Sequence, residues 1–315
     1  MRNKMNLIPH LIFLIGGFVL LMKGADYFVE GASMMASKFG IPQIVIGLTI
    51  VACGTSAPEA AVSISAAFKG TVGITIGNIL GSNIMNILLI LGLTAVVSKV
   101  PMKEGTVKVE IPFVIAITVL MLGLGIFGGD LSRVDGVIFW LVFLGFFGYL
   151  IRLTKKDHVP DEDPLHEMGM IRTLLYTGGG LAAIIIGSDV TVDAATVIAQ
   201  ALNVSDRVIG LTVVAFGTSL PELVTSVTAA LKGKADLAVG NIVGSNIFNI
   251  LFVIGTVSII HPIPFSQSFV PDAMVAIGAG VILLLCSIKD RKLAMGGGIL
   301  MLVCYVAYVV QLLLR

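Results

Sequence analysis

Apolar stretches of roughly 20 residues, each long enough to cross a bilayer, follow one another along almost the entire chain, and no other feature restricts the fold so strongly. About ten such spans are read, near 7–24, 40–68, 71–97, 109–128, 134–152, 171–190, 207–231, 235–260, 271–288 and 293–313. The expected fold is an all-α membrane protein of about ten transmembrane helices. Charged residues make up 12% of the chain, against roughly 25% in soluble domains, so little sequence is left for a domain in water. The first span follows Arg2 and Lys4 as the apolar core of a signal peptide would. It runs into Lys23 and Asp26 with no small-residue cleavage pattern, and is read as a retained helix. Cys53, Cys286 and Cys304 lie in apolar segments, odd in number and without metal-ligand spacing, and are read as small buried side chains. The net charge of +1 gives no footing for a nucleic-acid partner.

With ten spans, the N-terminus, the even-numbered loops and the C-terminus share one side and carry 6 Lys and Arg residues, while the other side carries 14. The positive-inside rule then puts both termini outside and the charged segment 153–170 in the cytoplasm, as a solvated linker.

Residues 47–97 match 210–260 at a constant offset of 163 without a gap, 26 of the 51 positions being identical. Chance does not produce this in apolar sequence. Each copy is a pair of spans joined by a short turn, at Lys69-Gly70 or Lys232-Gly233. Five spans separate the two starts, an odd number, so the copies enter the membrane from opposite sides and the repeat is inverted. The expected organisation is a five-helix half over 1–152 containing the repeat 47–97, the linker 153–170, and a second five-helix half over 171–315 containing the repeat 210–260.

Both copies interrupt a span at its middle, with Gly54-Thr55-Ser56-Ala57-Pro58-Glu59 and Gly217-Thr218-Ser219-Leu220-Pro221-Glu222. Proline has no amide hydrogen, so carbonyls of the preceding turn lose their partners, and free carbonyls at membrane depth persist only where something else binds them. Glu59 and Glu222 lie too deep to snorkel, where a carboxylate costs at least roughly 2.5 kcal/mol, and no basic residue lies at comparable depth. Two carboxylates meeting at a twofold axis repel each other or share a proton, and a divalent cation between them relieves both problems. Calcium takes roughly 6 to 8 oxygen ligands in flexible geometry, which Glu, Thr, Ser, Asn and carbonyl oxygens supply. The absence of His and of paired Cys from the matched positions argues against zinc, copper or iron. Ser82 and Asn86, like Ser245 and Asn249, are four apart and share a helix face; Asn83 and Asn246 lie between them, and Asn78 and Asn241 extend the face. The glycines at 77 and 81, and at 240 and 244, are read as helix-packing residues.

GTSAPE with GSNIMN, and GTSLPE with GSNIFN, resemble the paired alpha repeats of the cation/calcium exchanger superfamily, and most of all its prokaryotic sodium/calcium exchangers. The resemblance covers nearly the whole chain. It implies that Glu59 and Glu222 hold calcium with the backbone oxygens of Thr55 and Thr218. It implies that sodium is held by Ala52, Thr55, Glu59, Ser82 and Asn86 on one side and by Ala215, Thr218, Glu222, Ser245 and Asn249 on the other, with Ser56, Ser219, Pro58 and Pro221 supporting them. About three sodium ions would exchange for one calcium, which makes transport electrogenic. The expected ligands are the transported Na+ and Ca2+, with no cofactor, and the expected setting is the lipid bilayer with no obligatory protein partner. Some relatives carry Asp where this chain has Asn249, potassium-dependent members among them; Asn speaks against potassium cotransport and leaves Asn86 facing Asn249.

The expected mechanism is alternating access, the first and sixth spans sliding across the others, with Gly16, Gly17 and Gly178-Gly179-Gly180 letting those two helices pack loosely. A calcium/proton antiporter is the nearest alternative, since facing carboxylates also take protons; the neutral oxygens beside them favour sodium. A channel would draw its pore from oligomeric symmetry rather than from a repeat within one chain. An intramembrane enzyme lacks support, because the chain has neither HExxH nor GxSxG and its four histidines fall in loops or at span ends.

Overall fold

The computed structural model describes residues 7–70, 72–156, 169–202 and 215–314, and is nearly all helical. The first part of the chain forms α1 (Ile8–Phe39), α2 (Gln43–Thr55), α3 (Ala57–Phe68), α4 (Thr75–Val97), α5 (Thr106–Gly128) and α6 (Arg133–Lys156). The second forms α7 (Met170–Ala201), α8 (Ala215–Thr218), α9 (Leu220–Leu231), α10 (Ala235–Ile260), α11 (Gln267–Ile288) and α12 (Met295–Leu314). Among the described residues eight helices are long and apolar enough to cross a membrane, and α2 with α3, bent by 52°, makes a ninth. The span expected over 207–231 falls partly on residues outside the described set; α8 and α9 are its described portion.

Two spans are much longer than expected. The first was read over 7–24 and the sixth over 171–190, whereas α1 and α7 each have 32 residues. Asp26 and Glu30 in α1, and Asp189 and Asp193 in α7, end the apolar count without ending the helix. The apolar stripe continues past them through Phe28, Val29, Ala32 and Ala36, and α1 stops only at Gly40, whose left-handed φ of 58° closes it. The expected linker is also shorter at its described ends, since 153–156 continue α6 and Met170 begins α7.

α4 and α10 form the centre, 78% of each span's apolar window being buried against 11% for α12 and 22% for α1. The peripheral helices therefore present their apolar surface to lipid. Lipid removes the hydrophobic drive for helices to associate, so close van der Waals packing has to hold the centre. α2 meets α10 closely through Gly47 and Gly240, where a Cβ on Gly240 would stand 2.8 Å from the Ile44 carbonyl and 2.9 Å from Gly47 Cα. Both α4 and α10 widen into π-helical turns, at Met85–Leu91 and Phe248–Ile254, which correspond at the 163-residue offset.

α1 and α7 pack along each other, and not loosely. A Cβ on Gly17 would fall 2.4 Å from Thr191 Oγ1, and one on Gly180 2.5 Å from the Phe28 amide nitrogen. Gly16, Gly178 and Gly179 would meet nothing within 4 Å among the described residues, so the glycine pattern marks one tight seam rather than general slack. Two short ladders tie the parts of the chain together: β1 (Val100–Pro101) pairs antiparallel with β4 (Lys292–Leu293), and β2 (Asp130–Leu131) with β3 (Ile263–Pro264). Lys103 adds an ion pair to Asp236 at 3.1 Å, at the start of α10.

Candidate functional site

The two helix breaks set the site. α2 ends at Ser56, with φ −84° and ψ 8°, and α8 ends at Ser219, with φ −94° and ψ 5°. Pro58 and Pro221 enter the first turn of the helices that resume, where a missing amide is tolerated. The hinge at each break is the serine, not the glycine two residues before it. Gly217 is instead a place of close approach, since a Cβ there would lie 2.2 Å from Val192 Cγ2 on α7. Its carbonyl, deprived of a donor by Pro221, accepts from Ser188 Oγ at 2.8 Å. Ser188→Ala leaves that buried carbonyl without a donor, at a cost of about 1–3 kcal/mol. The expected result is a lower melting temperature of the detergent-solubilised chain, and an unchanged one would mean that the carbonyl finds another donor.

Glu59 and Glu222 lie in the first turns of α3 and α9, close to free helix amides that favour negative charge. Both are 0% exposed. Each is held by a serine of the opposite copy: Ser56 Oγ donates to Glu222 Oε1 at 2.7 Å, and Ser219 Oγ to Glu59 Oε1 at 3.3 Å. Ser82 Oγ approaches Glu59 Oε1 at 3.4 Å from α4, and Ser245 reaches Glu222 from α10 in the same way. Thr55 Oγ1 bonds Asn241 Oδ1 at 2.9 Å, and the Ala52 carbonyl accepts from Ser245 Oγ at 3.5 Å. Of the remaining residues singled out by sequence, Thr218 is half-buried in α8, and Ala215 begins that helix with its side chain outside the described set.

The asparagines pair differently from expectation. Asn86 and Asn249 each donate to another asparagine: Asn86 Nδ2 to Asn246 Oδ1 at 3.4 Å and Asn249 Nδ2 to Asn83 Oδ1 at 3.1 Å. These two bonds are copies of each other at the 163-residue offset. The four-residue spacing from Ser82 to Asn86 ends inside a π turn, and so the two side chains engage different partners. Sequence reasoning left Asn83 and Asn246 out of the ligand set, along with Asn241 and two serines that brace the amides. Asn78 Nδ2 donates to Ser63 Oγ at 3.1 Å and Asn241 Nδ2 to Ser226 Oγ at 2.9 Å. Their identity in both copies was the available signal.

Acceptors outnumber donors among the unpartnered amide and carboxylate atoms here. Glu59 Oε2, Glu222 Oε2, Asn86 Oδ1 and Asn249 Oδ1 are buried and make no hydrogen bond, forming two pairs at the repeat offset, against a single buried amide donor without a partner, Asn246 Nδ2. No Lys, Arg or His side chain is buried among the described residues, and no third acid joins the two glutamates there. Unpaired buried oxygens of this kind are costly in apolar surroundings, and a desolvated cation is the partner that satisfies acceptors only.

The family model described as sodium/calcium exchanger protein matches residues 9–152 and 173–314. CaxA of Alkalimonas amylolytica is 41% identical over 288 residues, covering 88% of this chain and 89% of its own. The sodium/calcium exchanger MaX1 of Methanosarcina acetivorans is 32% identical over 344 residues, covering 96% and 97% of the two chains. Among solved structures, the sodium-calcium exchanger NCX_Mj soaked with zero Na+ and Ca2+ superposes with a TM-score of 0.84 at 33% identity, covering 98% of this chain and 100% of that one.

Proposed function

Since the chain belongs to the sodium/calcium exchanger family, we propose that it is an electrogenic antiporter exchanging about three Na+ for one Ca2+ at a midplane site formed by Glu59 and Glu222. The observation that carries this reading is the set of four buried acceptor oxygens without donors, on Glu59, Glu222, Asn86 and Asn249. Calcium is taken by the two carboxylates with the backbone oxygens of Thr55 and Thr218. Sodium is taken by the oxygens of Ala52, Thr55, Ser82 and Asn86, and of Ala215, Thr218, Ser245 and Asn249, each set completed by its own glutamate. Ser56 and Ser219 hold the carboxylates across the copies, while Pro58 and Pro221 keep the breaks open.

In this reading the chain has about ten spans in two five-helix halves, 1–152 and 171–315, with the copies inverted. Both termini lie outside and the linker 153–170 lies in the cytoplasm. The α1–α7 pair slides across the remaining helices and exposes the site to one side at a time. Two buried carboxylates without a counter-charge oppose that movement, so calcium or sodium has to be aboard, and this couples the two fluxes.

The test is calcium uptake into proteoliposomes loaded with sodium and diluted into sodium-free buffer, with potassium-loaded and pH-gradient vesicles as controls. Uptake that requires internal sodium and rises with an inside-positive potential is the expected result. Uptake driven by a proton gradient alone would instead make the chain a calcium/proton antiporter using the same acids. Asn249→Asp adds a third carboxylate beside Glu222, and is expected to change the cation dependence of uptake while leaving the melting temperature within a few degrees. An unchanged cation dependence would reduce Asn249 to a packing residue.

A further inference from the structure

Lys232 Nζ lies 3.1 Å from Asp26 Oδ1 and also donates to the Asp26 backbone carbonyl at 3.0 Å. This contact joins α1 to the turn between α9 and α10. Its residues have counterparts at the repeat offset of 163, Asp26 in Asp189 and Lys232 in Lys69. The correspondence holds in local structure too. Lys69 and Lys232 each precede a glycine of positive φ, 71° at Gly70 and 73° at Gly233. Asp26 and Asp189 each follow a glycine by two residues, in Gly24-Ala25-Asp26 and Gly187-Ser188-Asp189, on helices of equal length.

The repeat therefore extends into α1 and α7, and the seam between them is symmetric about its own middle. A Cβ on Gly24 would stand 2.8 Å from the Ile184 amide nitrogen, and one on Gly187 2.8 Å from that of Leu21. These two contacts interchange at the offset of 163, as do Gly17 against Thr191 and Gly180 against Phe28.

The seam is symmetric, but the ion pairs at its two ends are not. Lys69 and Asp189 are both exposed, and no side-chain hydrogen bond or ion pair joins them among the described residues.

We propose that these four residues are positioning residues for exchange, forming a latch with two settings: Lys232 holds Asp26 in the state seen here, and Lys69 takes Asp189 when the pair has slid to the other end. A symmetric pair of helices held by an ion pair at one end has a second setting, related to the first by the repeat. Moving to it exchanges the roles of the counterparts, so that Asp26 leaves Lys232 as Asp189 meets Lys69. The proposal rests on the reading that α1 and α7 move as a unit during transport. Both settings use one exposed ion pair of the same type, which biases each end state without trapping the chain in it.

The test uses the full chain in proteoliposomes, with Cys53, Cys286 and Cys304 replaced by Ala in a background that retains exchange. Two cysteine pairs are made in it, Asp26→Cys with Lys232→Cys, and Lys69→Cys with Asp189→Cys. Both pairs are expected to cross-link on oxidation, each cross-link to stop calcium exchange, and reductant to restore it. Adding Asp26→Asn to the second pair is expected to speed its cross-linking about 2- to 5-fold, the range for a half-exposed ion pair. The charge swap Asp26→Lys with Lys232→Asp, in place of Asp26→Asn, is expected to return the rate to its starting value. A residue needed only for folding would not speed cross-linking of the second pair when neutralised and restore the rate when the charges are swapped. If Lys69→Cys and Asp189→Cys never cross-link while the reduced protein exchanges normally, the latch is wrong and the antiport reading stands. If cross-linking is indifferent to Asp26→Asn, the charges are no latch. If the cysteine-free chain carries no sodium-coupled calcium flux while the unmodified chain does, the rise of the second pair's rate with Asp26→Asn and its return with the charge swap decide by themselves; if neither does, it is the antiport reading that fails.

Discussion

Glu59→Gln and Glu222→Gln are each expected to abolish calcium transport, with a fall in sodium-driven uptake of at least about 100-fold, and to leave a folded chain behind. Glutamine keeps the shape of the side chain and an oxygen to accept from Ser219 or Ser56, the partners at 3.3 and 2.7 Å. What it removes is one of two negative charges in a region where no cationic side chain is buried among the described residues. Calcium then meets a single carboxylate and loses half of its charge compensation at a depth where water cannot supply the rest. The fold bears the change well, because a carboxylate in the membrane interior costs at least roughly 2.5 kcal/mol that the amide avoids. The melting temperature is therefore expected to stay level or rise. Uptake assays and thermal unfolding on the same preparation separate the two effects, and a variant that exchanges calcium normally would remove that glutamate from the site.

Gly240→Val is expected to abolish exchange for a different reason, through packing. The Cβ alone would stand 2.8 Å from the Ile44 carbonyl and 2.9 Å from Gly47 Cα, both backbone atoms that no rotamer change can move aside. α2 and α10 have to separate. α2 carries Ala52 and Thr55, and α10 carries Asn241, Ser245 and Asn249, so the separation opens the contacts of Thr55 with Asn241 and of Ser245 with Ala52. Overpacking of this kind costs typically about 1–3 kcal/mol, and in a bilayer no hydrophobic gain between helices offsets it. A lower melting temperature together with loss of calcium uptake is the expected pair of results. Gly178→Val, on an exposed face of α7 where nothing lies within 4 Å among the described residues, is the control expected to leave the melting temperature nearly unchanged. Equal destabilisation by both would contradict the packing explanation.

Much of this architecture is legible in the sequence because the duplication is. The motif around Pro58 and Pro221 locates the helix breaks, and the identity of Glu59 with Glu222 and of Ser82 with Ser245 brings out residues that the fold then gathers. Other features escape for physical reasons. Asp26 and Asp189 end a count of apolar residues, yet a helix is free to continue through an acid that reaches water or a lysine, and so α1 and α7 exceed their expected lengths. The π turns at Met85–Leu91 and Phe248–Ile254 have no compositional mark, and Asn86 and Asn249 lie inside them. Spacing along the chain also says nothing of exchange between copies. That Ser56 serves Glu222 and Ser219 serves Glu59, or that Asn83 and Asn246 close the asparagine pairs, emerges only when the copies are set against each other. The same holds for the weaker repeat in α1 and α7, which becomes visible through glycine contacts that interchange.

The central claim is that Glu59 and Glu222 hold the transported calcium, and crystallographic location of the ion tests it most directly. Crystals soaked in calcium, with anomalous scattering from strontium in a parallel soak, are expected to show one strong peak within about 2.3 to 2.6 Å of oxygens from both glutamates, with sodium displacing it. A peak that lies elsewhere, or one at these residues that survives any concentration of sodium, would contradict the account.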